Sequence, residues 1–244
     1  KILNNFVNHT NESYFKEKLK QTIKFINSEF KNNNNLLGSA YDADSEGIEG
    51  KYYVWKSDEL ENLLKGDLEL FKKKYEITEE GNFEGANILV EKNSININTL
   101  ERETIKKIEQ KLLYVREKRI KPFFDDKSQT DLNSYWIYSI LHSSFVLDDK
   151  EIYNQAINYY NNLQKVLNNN IFHCYDKNRK EIDVFLEDYV YFCLLLISMY
   201  EINKDEVSLK KCSKLLKEVW ELFYDDENNL LQKNIKSLND IFVK

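Results

Sequence analysis

At 244 residues, with 42% hydrophobic side chains, one proline and six glycines, the chain can bury a substantial core and favours long helices over disorder. A net charge of −6 argues against nucleic acid as a partner, because phosphate binding needs clustered Lys and Arg and the basic stretch at Arg116, Lys118, Arg119 and Lys121 is short. No apolar run reaches membrane-spanning length, the first residues lack a signal peptide's apolar middle, and three distant cysteines exclude CxxC chemistry, so a cytoplasmic protein without membrane contact is expected.

In chain order, Phe15, Leu19, Ile23, Ile26 and Phe30 recur at helical spacing and predict a helix over 12–31, ended by "KNNNN". The next segment, "SAYDADSEGIEGKYYVW" (39–55), holds two of the six glycines and reads as a hairpin. Its expected pairing is 38–42 against 51–55, with the acidic residues at the tip. Ser57 is the expected cap of a helix near 58–65, and a second covers 67–75. "EEGNFEGANILV" is a glycine-punctuated loop entering a short strand, and a charged helix covers 99–119.

The remaining pattern repeats. Residues 129–147 carry apolar side chains on more than one face (Leu132, Tyr135, Trp136, Ile140, Phe145), whereas 150–168 carry one stripe through Ile152, Ala156, Ile157, Tyr160, Leu163 and Leu167. Residues 187–203 are again apolar nearly all round, and 206–224 are again striped through Leu215, Leu216, Val219, Trp220 and Phe223. A helix apolar all round is buried, and a striped one packs on its outside. An inner–outer hairpin repeating every ~57 residues predicts a mainly α chain built as an α/α toroid, with a small β-hairpin inserted at its rim. The whole of 1–244 is then one toroid segment: an outer helix at 12–31, an insertion at 38–98, and helical hairpins over 99–244.

In such a repeat, every loop that follows an outer helix leads to the amino end of the next inner helix, so these loops share a rim. "DADSEG", "PFFDDK" (122–127) and "FLEDY" (185–189) are expected there. The candidate catalytic residues are Asp44, Asp125, Asp126 and Asp188, with His173 on the rim loop "IFHCYD". The candidate ligand-binding residues are Asp42, Glu46, Tyr53, Trp55, Arg116, Arg119, Lys127 and Tyr189. Paired carboxylates can protonate a leaving oxygen and activate water, a histidine beside a carboxylate can move a proton next to a carbonyl, and Arg or Lys can orient a polyol or an anion. Tyr53 and Trp55 can stack on a sugar, although core packing explains them equally. Asp125 and Asp188 equally suit helix capping, worth ~1 kcal/mol each. Asp126 is expected to pair with Arg119, leaving Asp42 or Asp44 open to solvent.

Asp42, Asp44, Glu46 and Gly47 occupy the first, third, fifth and sixth places of a calcium loop. The twelfth is Tyr53 where a bidentate Glu is needed, so no metal and no cofactor is expected. His142 reads as a core histidine and His9 as inert.

Four segments, "SAYDADSEGIEGKYYVW", "GNFEGANIL", "LLYVREKRIKPFFDDK" and "FLEDYVYFCLLLISMYE", occur in an order that resembles the thioredoxin-domain-containing protein family of the spermatogenesis-associated protein 20 type, over most of the chain from about residue 12. The resemblance implies a six-hairpin glycosidase-like (α/α)6 toroid related to N-acylglucosamine 2-epimerases, here without the family's thioredoxin-like domain. It also implies acid–base chemistry on a sugar-like small molecule; the alternative is a non-catalytic structural or protein-interaction module. Where the family reads Thr-x-Trp-Asn-Gly, this sequence has Thr130-Asp131-Leu132-Asn133-Ser134, which replaces an aromatic residue and a glycine. About two and a half of six hairpins are expected here, as in a fragment or a shrunken relative, with a homo-oligomer or partner chain completing the ring.

Overall fold

The periodic stretches fold as helices almost where the pattern places them. In the computed structural model, which describes residues 1–93, 96–175 and 184–235, α1 spans Ile2–Thr10, α2 Ser13–Glu29, α3 Ser57–Leu64, α4 Leu68–Lys74 and α5 Thr99–Glu117. They are followed by α6 (Thr130–Val146), α7 (Lys150–Leu167), α8 (Leu186–Asn203) and α9 (Glu206–Phe223). The fold is mainly helical, and among the described residues no helix is long and apolar enough to cross a membrane. The tail "KSLNDIFVK" lies outside the described residues from Lys236 onward.

The chain divides into two units, Lys1–Ala40 with Asp125–Lys244, and Tyr41–Phe124. The first consists of helical hairpins, α1–α2, α6–α7 and α8–α9, in which α6 packs against α1, α7 and α8. The helices expected inside do supply the centre: Ile137, Ile140 and Leu141 of α6 and Phe192, Leu195 and Leu196 of α8 are fully buried. The striped helices cover them through Leu163 and Leu167 of α7 and Leu215, Val219 and Phe223 of α9. Each such side chain contributes roughly 1.5–3 kcal/mol on leaving water.

Polar contacts tie the outer layer in the order α2, α7, α9. Tyr159 Oη donates to Asn27 Oδ1 at 2.9 Å, Tyr160 Oη lies 2.9 Å from Ser208 Oγ, and Lys211 Nζ donates to Gln164 Oε1 at 2.7 Å. Asp149 caps α7 by accepting from Glu151 N and Ile152 N, and Asp205 caps α9 through Val207 N. Helix α1 was not expected, because "LNNFVNHT" shows little apolar period. Its buried Asn4 is satisfied at both ends, by Ser139 O and Ser143 Oγ, each at 2.9 Å.

The second unit packs α3, α4 and α5 around Trp55, Leu60, Leu64, Phe71, Ile105, Ile108 and Leu112. A capping box starts α5: Glu101 N donates to Asn98 Oδ1 at 3.0 Å and Asn98 N to Glu101 Oε2 at 2.8 Å. Two local expectations are corrected. Ser57 is the first residue of α3, while Lys56 holds the cap position with no side-chain bond. The hairpin pairs Asp44–Ser45 with Ile48–Glu49, not 38–42 with 51–55. Glu46 (φ 54°) and Gly47 (φ 73°) are both left-handed, the requirement of a two-residue primed turn, so the strands close immediately around what looked like a loose tip. Trp55 is then free to pair with Asn87, through Trp55 N to Asn87 O at 2.9 Å and Asn87 N to Trp55 O at 2.7 Å.

Candidate functional site

The amino ends of α6 and α8 meet in the helical unit, and the loop after α7 reaches them. Asp188, in the first turn of α8, is fully buried. Its Oδ2 accepts from Phe185 N at 2.9 Å, and its Oδ1 from Asp131 N, at the start of α6, at 3.2 Å. The remaining partner is His173, whose Nδ1 lies 3.1 and 3.2 Å from the two carboxylate oxygens. A carboxylate held against Nδ1 fixes the tautomer that carries its proton there, leaving Nε2 as the acceptor. Nε2 lies 3.2 Å from Gln129 Nε2, which can donate to it.

The His173 ring stands edge-on to Phe185 at 4.7 Å between centroids, and its backbone carbonyl accepts from Thr130 N at 2.9 Å. The imidazole is therefore held from three directions. Burial raises the Asp188 carboxyl above its usual value, opposed by the Phe185 N–H and by His173. Asp131 offers a second carboxylate, and donor atoms of Asp131, His173 and Asp188 all lie within 4.8 Å of one another. Asp131 and Gln129 were not among the expected site residues. The one available signal was that Asp131 falls in the first turn of an inner helix, as Asp188 does.

The other expected residues of this unit take different places. Asp125 pairs locally with Lys127, Oδ2 to Nζ at 3.0 Å, and also accepts from Lys127 N at 3.3 Å. Asp126 is exposed, and its carbonyl accepts from Asn32 Nδ2 at 2.8 Å. Tyr189 is buried against Phe223 at 5.7 Å, and burial pushes its hydroxyl up to about 12. It faces the core. In the departed motif, Asn133 is fully buried and braces the loop before the insertion through Leu37 N and O, while the buried Ser134 Oγ has no hydrogen-bond partner. His142 is half-buried on α6, 3.1 Å from Ser198 Oγ. Cys174, Cys193 and Cys212 are all buried and none forms a disulfide.

In the 41–124 unit, Asp42 and Asp44 are exposed and Glu46 pairs with Lys51 at 2.8 Å. Arg119, expected to meet Asp126, pairs instead with Glu59 at 2.8 Å and donates to the carbonyls of Tyr52 (3.0 Å) and Val54 (2.7 Å). Its guanidinium lies 4.1 Å from the Trp55 ring centroid. Trp55 is 3% exposed, so it is a core side chain and offers no face to a sugar; Tyr53 is 45% exposed, with Tyr52 edge-on to its ring at 4.9 Å between centroids. Glu46 and Arg119 line a cavity of about 690 Å³ together with Tyr52, Val54, Phe83 and Ile120.

No family model matches the chain. It is similar to spermatogenesis-associated protein 20 of Homo sapiens, 23% identical over 266 residues that cover 88% of this chain and 33% of that protein. The chain thus spans about a third of the length of the curated relative it matches. The similarity supports a relationship at the family level and does not single out a toroid.

Proposed function

We propose that the helical unit is a segment of an (α/α) toroid of the six-hairpin glycosidase-like kind, with His173, held by Asp188 beside Asp131, as its acid–base group for a sugar-like ligand. The observation that carries this reading is the buried Asp188 carboxylate against His173 Nδ1 at the joined amino ends of two inner helices. With the ligand in place of the Gln129 amide, His173 Nε2 then takes a proton from it and Asp131, the other carboxyl of the cluster, returns one. Two further features support the toroid. The inner helices follow one another as α1, α6, α8, and they leave Leu132, Phe145, Val190 and Ile197 more than a third exposed. Large apolar side chains left open on inner helices fit a ring completed by further hairpins, from a second copy or a partner chain.

The test is proton exchange. The chain is incubated in D₂O with N-acetylated hexosamines and other free sugars, and ¹H NMR follows loss of the proton next to the carbonyl. The proposal expects a sugar whose proton washes out with the wild-type chain and not with His173→Gln. Washout or binding by none of the sugars would refute it.

The alternative is a non-catalytic structural or interaction module, favoured by one specific observation. Both Asp188 oxygens are already engaged by N–H donors from α8, α6 and His173, as in a fastener between helix ends. On that reading His173→Gln lowers stability and no sugar binds by calorimetry.

A further inference from the structure

Two arginines three residues apart in the 41–124 unit have opposite fates. Arg119 is satisfied by Glu59 and two carbonyls. Arg116, in the last turn of α5, has no carboxylate partner among the described residues, and its Nε is shielded from solvent with no acceptor. An arginine N–H removed from water without an acceptor forfeits its hydration, so the rest of the guanidinium carries a charge that no carboxylate among the described residues matches. The guanidinium is held in place by the rings of Tyr52 and Tyr53, whose centroids lie 5.5 and 5.7 Å from Cζ.

Arg116 borders a pocket of about 190 Å³ whose other walls are Trp55, Phe71, Leu89, Leu112, Leu113 and the Tyr75–Glu109 pair. That space equals roughly six waters at ~30 Å³ each. The Glu109 charge is already matched: Lys74 Nζ lies 2.7 Å from Oε1 and Tyr75 Oη donates to it at 2.9 Å. Counting Arg116 with this balanced pair, the pocket presents one uncompensated positive charge beside an apolar wall. We propose that this pocket binds a small monocarboxylate with an apolar body, its carboxylate paired with the Arg116 guanidinium and its body lying against Leu89 and Leu113. A planar guanidinium fork suits a carboxylate in a way that a lysine does not. The apolar wall disfavours a hydrated dianion, and the single charge disfavours a neutral ligand.

The test uses benzoate as the probe and benzamide and inorganic phosphate as controls, titrated into the full chain by calorimetry or by amide chemical shifts. Benzoate is expected to bind at least about tenfold tighter than either control. Arg116→Gln should weaken benzoate by about tenfold or more while leaving benzamide unchanged. Leu113→Glu, at a side chain 43% exposed and outside the core, should weaken benzoate with the circular dichroism spectrum intact. The proposal is overturned if benzamide or phosphate binds as well as benzoate, if no probe binds, or if both variants keep wild-type affinity.

Discussion

Replacing Asp188 by Asn keeps the shape of the side chain and changes only its chemistry. The carboxylate accepts from Phe185 N, Asp131 N and His173 Nδ1 around two oxygens. With one oxygen turned into an NH₂, at least one of these donors faces another donor inside a fully buried site. Leaving a buried donor unmet costs about 1–3 kcal/mol, and the loss includes part of the helix cap, so D188N should lose about 2 kcal/mol at neutral pH. For a chain of this length that is about 4–8 °C in Tm, read by thermal and urea unfolding followed by circular dichroism.

The pH dependence gives an independent sign. Burial raises the Asp188 carboxyl above 3.8, so the folded state favours its protonated form. That contribution is whole below 3.8 and is lost as pH rises through the raised value. The D188N chain lacks it, so the stability gap between wild type and D188N should narrow as pH climbs out of the acid range. A Tm change under about 1 °C would refute the donor accounting. A gap that widens with pH would show that the charge, and not its burial, dominates the site.

Gly81→Ala should cost the 41–124 unit about 2 kcal/mol or more in urea unfolding, since φ is +81° and a methyl there would collide with the Ala86 backbone N and O. Gly47→Ala, with open space around its Cβ, should cost only about 1 kcal/mol of left-handed strain. Arg119→Lys should cost about 1–2 kcal/mol in the same assay, because an ammonium cannot serve Glu59, both carbonyls and the Trp55 face together. Asp44→Asn, at an exposed hairpin position, should shift stability by less than about 0.5 kcal/mol in the same assay. A large stability loss there would mark the hairpin as scaffolding.

The amino-acid sequence by itself determined the helices from α2 onward and their layering, because burial on all sides and burial on one side write different patterns along a helix. Ile140 and Leu195 could be assigned to the interior and Leu215 to a covering stripe from spacing alone. Helix α1 was invisible, since two residues, Asn4 and Val7, carry its burial and one of them is polar. The hairpin register was also hidden: a left-handed Glu46 has no clear mark in sequence, and Gly47 alone does not say which strands close around it. For the candidate site, His173 and Asp188 were legible as types of residue on rim segments. Their contact, and the entry of Asp131 and Gln129, depended on which helix ends meet across 57 residues of chain. The same holds for the two arginines. Spacing places Arg116 and Arg119 a turn apart and equal, and only the packing of α5 against Trp55 and Glu59 gives one its partners and leaves the other facing a pocket. Local periodicity reports how much of a side chain is buried; which groups it meets there is set by distant contacts that no window of sequence contains.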